Sequence, residues 1–424
     1  MKLLKAEAGV NDGKAGLLSA AGLFAKGGIF DKKSESFNIQ ELDPYLLFDA
    51  RSSMLGTLEN PTLDLDPATP STLDVITATR AGIATYTDPD GNIATASADT
   101  VRVDHVDGVP MILVEPSATN IIYNSSAFST SGTAVKTTGF EAPDGSNTAA
   151  KISNMQDATG TRSYSQVTGV SGSTAYVGSI YLKGTAGETI RIEARRQAGA
   201  TFSSSGTRIL TFDGTWQRVT NLAWTTAADN TAAFILIKNE FGTTADEVYL
   251  WGAQLETGSV STSVIPTSGS TVTRAADDLE ITGSDFTDFY NQSEGTFYVE
   301  SVPNENTSGS FLFDLTKISG GSERLLIYNG GSNQKVYIST ASTNWVDKII
   351  GTRPAGGVLS RVAISYETNN VQASLDGVNM VPDPSATMST SIAKMTIGNR
   401  YETSRYLNGR IRRLIFWPYS SDRL

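Results

Sequence analysis

The sequence has no cysteine and a single histidine, His105, among its 424 residues. The first absence excludes disulfides, zinc–thiolate and iron–sulfur centres and thiol catalysis. It also fits assembly in a reducing compartment. The second leaves a Ser-His-Asp arrangement one residue to build on, and no Gly-x-Ser-x-Gly elbow accompanies it. Glycine-rich phosphate loops of the Walker or Gly-x-Gly-x-x-Gly kind are missing too. Charged residues make up 18%, below the roughly 25% of an average globular chain. There is no long hydrophobic run: the apolar stretch Gly16 to Phe24 is too short to span a bilayer. Met1-Lys2-Leu3-Leu4-Lys5 begins like a signal peptide, but Glu7, Asn11, Asp12 and Lys14 break the apolar segment that one requires. No membrane insertion is expected.

Gly, Ser, Thr, Ala and Asn fill the space left by charge, a mix suited to many short strands joined by turns. The net charge is −11 and the pI about 4.8, so the chain repels phosphate backbones and bulk nucleic-acid binding is not expected. Hydrophobic residues at 39% suffice for buried cores, and the length exceeds what one core usually supports. The expected fold is all-β: two tandem, jelly-roll-like β-sandwiches behind an irregular N-terminal attachment region.

Residues 1–45 are read as an arm, either an anchor or a flexible tail; Ala15 to Lys26 suits a short helix weakened by two glycines. Residues 46–119 are expected to be a β-rich connecting region. Asp88-Pro-Asp-Gly91 there is a strong turn signal, since Pro presets φ and Gly accepts positive φ. Residues 120–270 read as a first sandwich, with strand-like runs at Ala175–Lys183, Thr189–Ala194, Ala233–Lys238 and Glu247–Trp251. Residues 262–278 look like an interdomain connection. Residues 271–424 form the second sandwich, where Val362, Ile364 and Tyr366 share one face and Val371, Ala373 and Leu375 another. Asp376-Gly377 is a hairpin signal. Thr-Arg-Ala occurs at 79–81 and 273–275 with no longer repeat around either copy, and reads as coincidence or a local turn habit.

Three blocks resemble tailed-phage fibre and head-spike proteins. The first is Thr79 to Ala94, Val101-Arg-Val-Asp-His-Val-Asp107 and Ile112-Leu-Val-Glu-Pro-Ser-Ala-Thr-Asn120. It is similar to the strands that precede a carbohydrate-binding-module-like sandwich in such proteins, with Gly82 and Glu115-Pro116 as small departures. The second is Val248-Tyr-Leu-Trp-Gly-Ala-Gln-Leu-Glu256 with Thr262 to Thr267 and Val272 to Asp277, similar to that sandwich's closing strand and exit, Val264 standing where a Tyr is usual. The third, residues 294–424, resembles a laminin-G or concanavalin-like lectin domain. The resemblance covers 79–424. It implies a virion-surface protein, often trimeric, assembled in the host cytoplasm and released by lysis. Its N-terminus would attach to other virion proteins and its sandwiches would face host surface glycans.

Sugar recognition needs aromatic faces with polar partners at the edges. The surface candidates are Trp224, just past a short strand, and the loop residues Trp345, Tyr401 and Tyr406. Trp216 and Trp251 are read as core. Asp144, Asn147 and Glu256 are candidate ligands of a structural Ca²⁺, without EF-hand spacing. No other cofactor is expected. Glu300 stands alone on its strand where a glycosidase needs two flanking carboxylates. Arg400, Arg405, Arg410, Arg412 and Arg413 make the C-terminal part locally basic, either an ion-paired face or a contact for acidic glycans. The expected role is a non-enzymatic fibre or spike protein that binds host glycans. A head fibre or decoration protein without an obligatory receptor, and a glycan-depolymerising tailspike, are the alternatives.

Overall fold

The computed structural model describes residues 61–424 apart from 157–161, 199–200, 241, 305–308, 320–322, 341–342, 380–382, 385–388, 401–404 and 421–424, and apart from the side chains of 168, 201–205, 343–345 and 379. The expected N-terminal arm and the run from Tyr45 to Arg51 lie outside the described residues. Nearly all regular structure within them is strand, and every strand pairing is antiparallel. No described helix is long and apolar enough to cross a membrane.

The second sandwich has two large sheets. One is eight-stranded and is centred on Gly295–Pro303 and Gly409–Trp417, with Ser360–Glu367 and Asn370–Leu375 on one side. The other is seven-stranded, running from Thr77–Thr79 through Asp278–Thr282, Lys394–Ile397 and Phe311–Thr316 to Thr343–Thr352. The alternation of Ser360–Glu367 and Asn370–Leu375 places Val362, Ile364, Tyr366, Val371, Ala373 and Leu375 in the core between the sheets. An aromatic knot fills the centre: Phe416 lies 4.5 Å from Phe297, 5.6 Å from Phe289 and 5.7 Å from Tyr290, ring centroid to centroid. Asp376 and Gly377, with φ of 49° and 83°, turn the hairpin into Val378–Asn379 as that sequence pair requires.

The region expected to be a connector belongs to this sandwich. Leu63–Leu65 pairs with the last strand, Leu63 opposite Phe416. Val109–Val114 pairs with that strand's beginning, Val103–Val106 extends the sheet beyond it, and Thr77–Thr79 edges the other sheet. Only Ala84–Thr87 and Ile93–Ala96 form a separate hairpin, closed by the Asp88-to-Gly91 turn, where Gly91 has φ 85°. The first sandwich is therefore inserted into the second rather than placed ahead of it. The chain enters through Ala118–Asn120 and leaves through Val272–Arg274, and these two crossings pair with each other as an antiparallel neck.

The inserted sandwich has two five-stranded sheets. One runs Gln217–Thr225, Ala175–Lys183, Val248–Thr257, Ala149–Ser153, Val135–Phe140. The other runs Thr201–Thr211, Thr189–Ala198, Ala232–Lys238, Arg162–Thr168, Ser129–Ser131. Ile190, Ile192, Ala194, Ala233, Ile235 and Ile237 of the second sheet point inward. Trp251 is buried as expected, but in a separate small cluster with Ala142, Ala149 and Val264, against which Ile93 of the hairpin and Trp216 pack. Its indole Nε1 donates to Thr148 Oγ1 at 2.9 Å.

Candidate functional site

Two arrangements stand out. The first is a buried ionic cluster at the neck. Arg102 donates to Glu115 at 2.8 Å and to Asp277 through Nε at 3.2 Å. Arg80 reaches Asp277 at 2.9 Å, and Arg274 lies 3.5 Å from Glu115 and 3.8 Å from Asp277. All five side chains are buried. The backbone completes the cluster: Glu115 N donates to Asp277 Oδ2, Asp277 N to the Glu115 carbonyl, and Ser263 N to Glu115 Oε1. Arg102 also donates to the Thr85 carbonyl and to Ser263 Oγ. One cluster thus ties the hairpin, the inserted sandwich's exit and both crossings together. The two Thr-Arg-Ala triplets are accordingly not a coincidence in space, since Arg80 and Arg274 both serve Asp277. Beside them Asn120, fully buried, donates to the carbonyls of Ala253 and Ile265 and accepts from the amides of Ile122 and Leu255.

The second arrangement is the outward face of the sheet containing Thr189–Ala198. Inward positions alternate with outward ones, and strand register sets the outward side chains in rows. Arg191 lies opposite Lys238, Glu193 opposite Leu236 and Arg195 opposite Phe234. On the next strand Tyr164 lies opposite Leu236 and Gln166 opposite Phe234. Arg162 is one position beyond the Ser163–Ile237 pair, beside Lys238. Toward the other edge, Ile209 sits opposite Arg191 and is 57% exposed. Glu193 is buried at the centre, 3.0 Å from Lys238 Nζ, 3.3 Å from Arg191 and 3.4 Å from Arg195. Lys238 also meets Glu240 at 2.7 Å. Tyr164 and Phe234 pack edge to face, 6.0 Å between centroids. The face thus presents the half-buried ring of Tyr164 and guanidinium groups of Arg162, Arg191 and Arg195 over a buried layer of Phe234, Leu236, Lys238 and Glu193.

The side chains singled out from sequence do not converge. Trp224 is in the inserted sandwich's core rather than at the surface, opposite Tyr176 with ring centroids 6.4 Å apart. Its alternation with Leu222 is the signal that places it there. Tyr406 is half-buried and donates to Asp278 Oδ1 at 2.8 Å, so its ring is tied to the start of the strand Asp278–Thr282 rather than presented freely from a loop. Tyr401 and the side chain of Trp345 lie outside the described residues. Asp144 accepts from Ser146 in an exposed turn, and Asn147 is exposed beside it. Glu256 is buried, its oxygens accepting from Gln254 and Thr262. Burial raises its pKa, and Thr262 offsets part of that rise. Among the described residues no three His, Asp or Glu side chains are grouped as a metal requires. His105 Nδ1 lies 3.2 Å from the Thr87 carbonyl, which ties it to the hairpin. Three of the five C-terminal arginines take the ion-paired reading: Arg410 with Asp104, Arg412 with Glu300, Arg413 with Asp64. Glu300 also meets Arg361 and accepts from Tyr298.

No family model matches this chain, and no curated protein matches it. Solved structures that share part of the fold are carbohydrate-binding modules and sandwich domains. Domain 4 of an extracellular GH43 arabinanase from Geobacillus stearothermophilus, in complex with arabinotriose, is 12% identical over 34% of this chain and 68% of its own, with a TM-score of 0.30. The CBM22-1–GH10 modules of Clostridium thermocellum xylanase 10B with xylohexaose are 14% identical over 34% of this chain, with a TM-score of 0.28. This chain spans 28% of those modules. The CBM40 of a Ruminococcus gnavus IT-sialidase, bound to α2,3-sialyllactose, is 12% identical over 32% of this chain and 81% of its own, with a TM-score of 0.27.

The neck cluster carries a pH signature. Burial opposes the charge on Glu115, but Arg274 and Arg102 outweigh it and hold the carboxyl far below its usual 4.5. A depressed folded pKa contributes stability that is full above the unfolded value and is lost as pH falls toward the folded one. Urea midpoints are therefore expected to be flat from pH 7 to about 5 and to fall below that, with Glu115 contributing up to about 1.4 kcal/mol per pH unit. In Glu115→Gln the acid limb should be shallower by one proton's worth.

Proposed function

We propose that this chain is a non-enzymatic structural and adhesion protein on the surface of a tailed-phage particle, and that it holds host surface glycans on the outward face around Tyr164 and Phe234. The observation that carries the binding role is the alignment of that aromatic pair with Gln166, Arg195, Glu193 and Lys238 in successive cross-strand rows. An aromatic ring flanked by fixed hydrogen-bonding groups is what a pyranose offers complements to, apolar on its face and hydroxylated at its edge. The particle role rests on the sequence blocks at 79–120 and 248–277, together with an N-terminal region that would attach to other virion proteins. Homotrimer formation would multiply weak single-site contacts into useful avidity.

A second reading has an observation in its favour. Arg80, Arg102, Glu115, Asn120, Arg274 and Asp277, which carry much of the family resemblance, all build the neck. That favours a rigid spacer, a head fibre or decoration protein without an obligatory receptor. The two readings separate in a binding assay on intact host cells with free surface polysaccharide as competitor, the same sample being tested for new reducing ends. Saturable, competed binding without new reducing ends supports the adhesin. No binding at micromolar protein supports the spacer, and released reducing ends would contradict the non-enzymatic role. Tyr164→Ala is expected to weaken cell binding about tenfold, the equivalent of roughly 1.4 kcal/mol, while leaving the fold intact by circular dichroism.

A further inference from the structure

Resting on that reading, we infer that the ligand of this sheet face is a polyanionic glycan, carrying carboxylate, sulfate or phosphate groups, rather than a neutral one. The rows bring four cations to one face, Arg162, Arg191, Arg195 and Lys238, against two carboxylates, Glu193 and Glu240. Among the described residues the face is thus net positive by two, in a chain whose overall charge is −11. Such a local reversal of sign has a consequence for ligand choice. At physiological salt the repulsion from distant acidic residues is screened beyond about 8 Å, whereas groups in contact are screened much less. A polyanion therefore meets the cations of this face rather than the charge of the whole molecule.

Geometry gives the same direction. Glu193 is buried beneath the face and holds Arg191, Arg195 and Lys238 in place around it, so the cations are pre-positioned before a ligand arrives. Fixed guanidinium groups suit bidentate contact with carboxylate or phosphate oxygens. Arg162, half-buried, takes part in no ion pair among the described residues. Tyr164 stands next to Arg162 but one on the same strand, and Ile209 at the far edge offers apolar surface. A sugar ring stacked on Tyr164 would bring its acidic substituent within reach of this array. The balanced outward face of the second sandwich's seven-stranded sheet differs: Lys394 pairs with Glu280, Arg324 with Asp314 and Lys335 with Asp347.

The test uses the full chain with dextran against dextran sulfate, which share a backbone and differ in charge, and with pullulan and polygalacturonate as a second neutral and a second anionic polymer. Expected is binding of both anionic polymers at least tenfold tighter than of the neutral ones, weakening as salt is raised. Arg162→Gln should weaken anionic binding severalfold, and Glu240→Gln, which removes a rim carboxylate, should strengthen it. Opposite signs from these two substitutions are not what a purely structural role would give. Arg191→Gln serves as a further variant, with circular dichroism as its folding control. Equal binding of dextran and dextran sulfate would overturn this inference and leave glycan binding standing. Anionic binding indifferent to all three substitutions would also overturn it, by placing the contact elsewhere. No binding of any polymer, with host cells also unbound, would overturn the adhesin reading itself.

Discussion

Asp277→Ala is expected to be among the most damaging single substitutions in the chain, lowering stability by about 3–5 kcal/mol. Asp277 accepts from Arg80 and Arg102, lies 3.8 Å from Arg274 and takes the Glu115 amide. Removing its carboxylate leaves three buried guanidinium groups against Glu115 alone. Buried charges are tolerable only when paired, so the cost is chiefly that of the charges left behind. Asp277→Asn keeps an acceptor but not the charge, and should fall between wild type and Ala. Because the cluster joins hairpin, neck and both sandwiches, its loss should also uncouple them. Chemical denaturation of the wild type is expected to show the two sandwiches unfolding closer together than in Asp277→Ala. A loss below 1 kcal/mol would mean that the cluster is incidental to the architecture.

Phe416→Ala should cost a similar amount, about 3–5 kcal/mol, for a different reason. Phe416 is fully buried, packed among Phe297, Phe289, Tyr290 and Tyr366. Its strand is also the one against which Leu63–Leu65, Val109–Val114 and Gly295–Pro303 all pair. A cavity there cannot collapse without moving the sheet's centre, so the loss should lie at the upper end of the range for a truncated core ring. Ile349→Ala, on an exposed position of the second sandwich, is the matched control and should change stability by less than about 0.5 kcal/mol. Urea melts of the two variants read both effects.

The strands themselves were legible because period-two burial is written into short segments, as in Asn370–Leu375, and because Asp376-Gly377 and Asp88-Pro-Asp-Gly91 dictate their turns. Topology was not. Leu63 pairs with Phe416 and Thr79 with Asp278, and nothing local in either segment names so distant a partner. A stretch with short β-like runs ahead of a sandwich reads as a connector until its long-range pairing is seen.

The candidate site divides in the same way. Arg191-x-Glu193-x-Arg195 is visible as charged side chains at alternate positions on one strand, and therefore on one face, but the facing Lys238 and the aromatic pair come from register between strands. Trp224 is read from sequence as lying just past a short strand, whereas the strand Gln217–Thr225 continues through it, and the backbone at Asn221, with φ 55°, and the irregular pairing opposite Gly178–Ile180 set the phase so that Leu222 and Trp224 both face inward. Arg80, Arg102, Glu115, Asn120, Arg274 and Asp277, which lie in the first two of the sequence blocks singled out above, all sit at the neck. Those residues therefore mark the architecture and say little about the ligand-facing surface.

Hydroxyl-radical footprinting of the full chain, with and without saturating polygalacturonate, tests the central claim most directly because it reads individual side chains. Protection is expected at Tyr164 and Ile209 on the inserted sandwich, with Tyr337 and Ile349 of the second sandwich unchanged. Protection confined to the second sandwich, with Tyr164 as reactive as before, would contradict the assignment of glycan binding to this face.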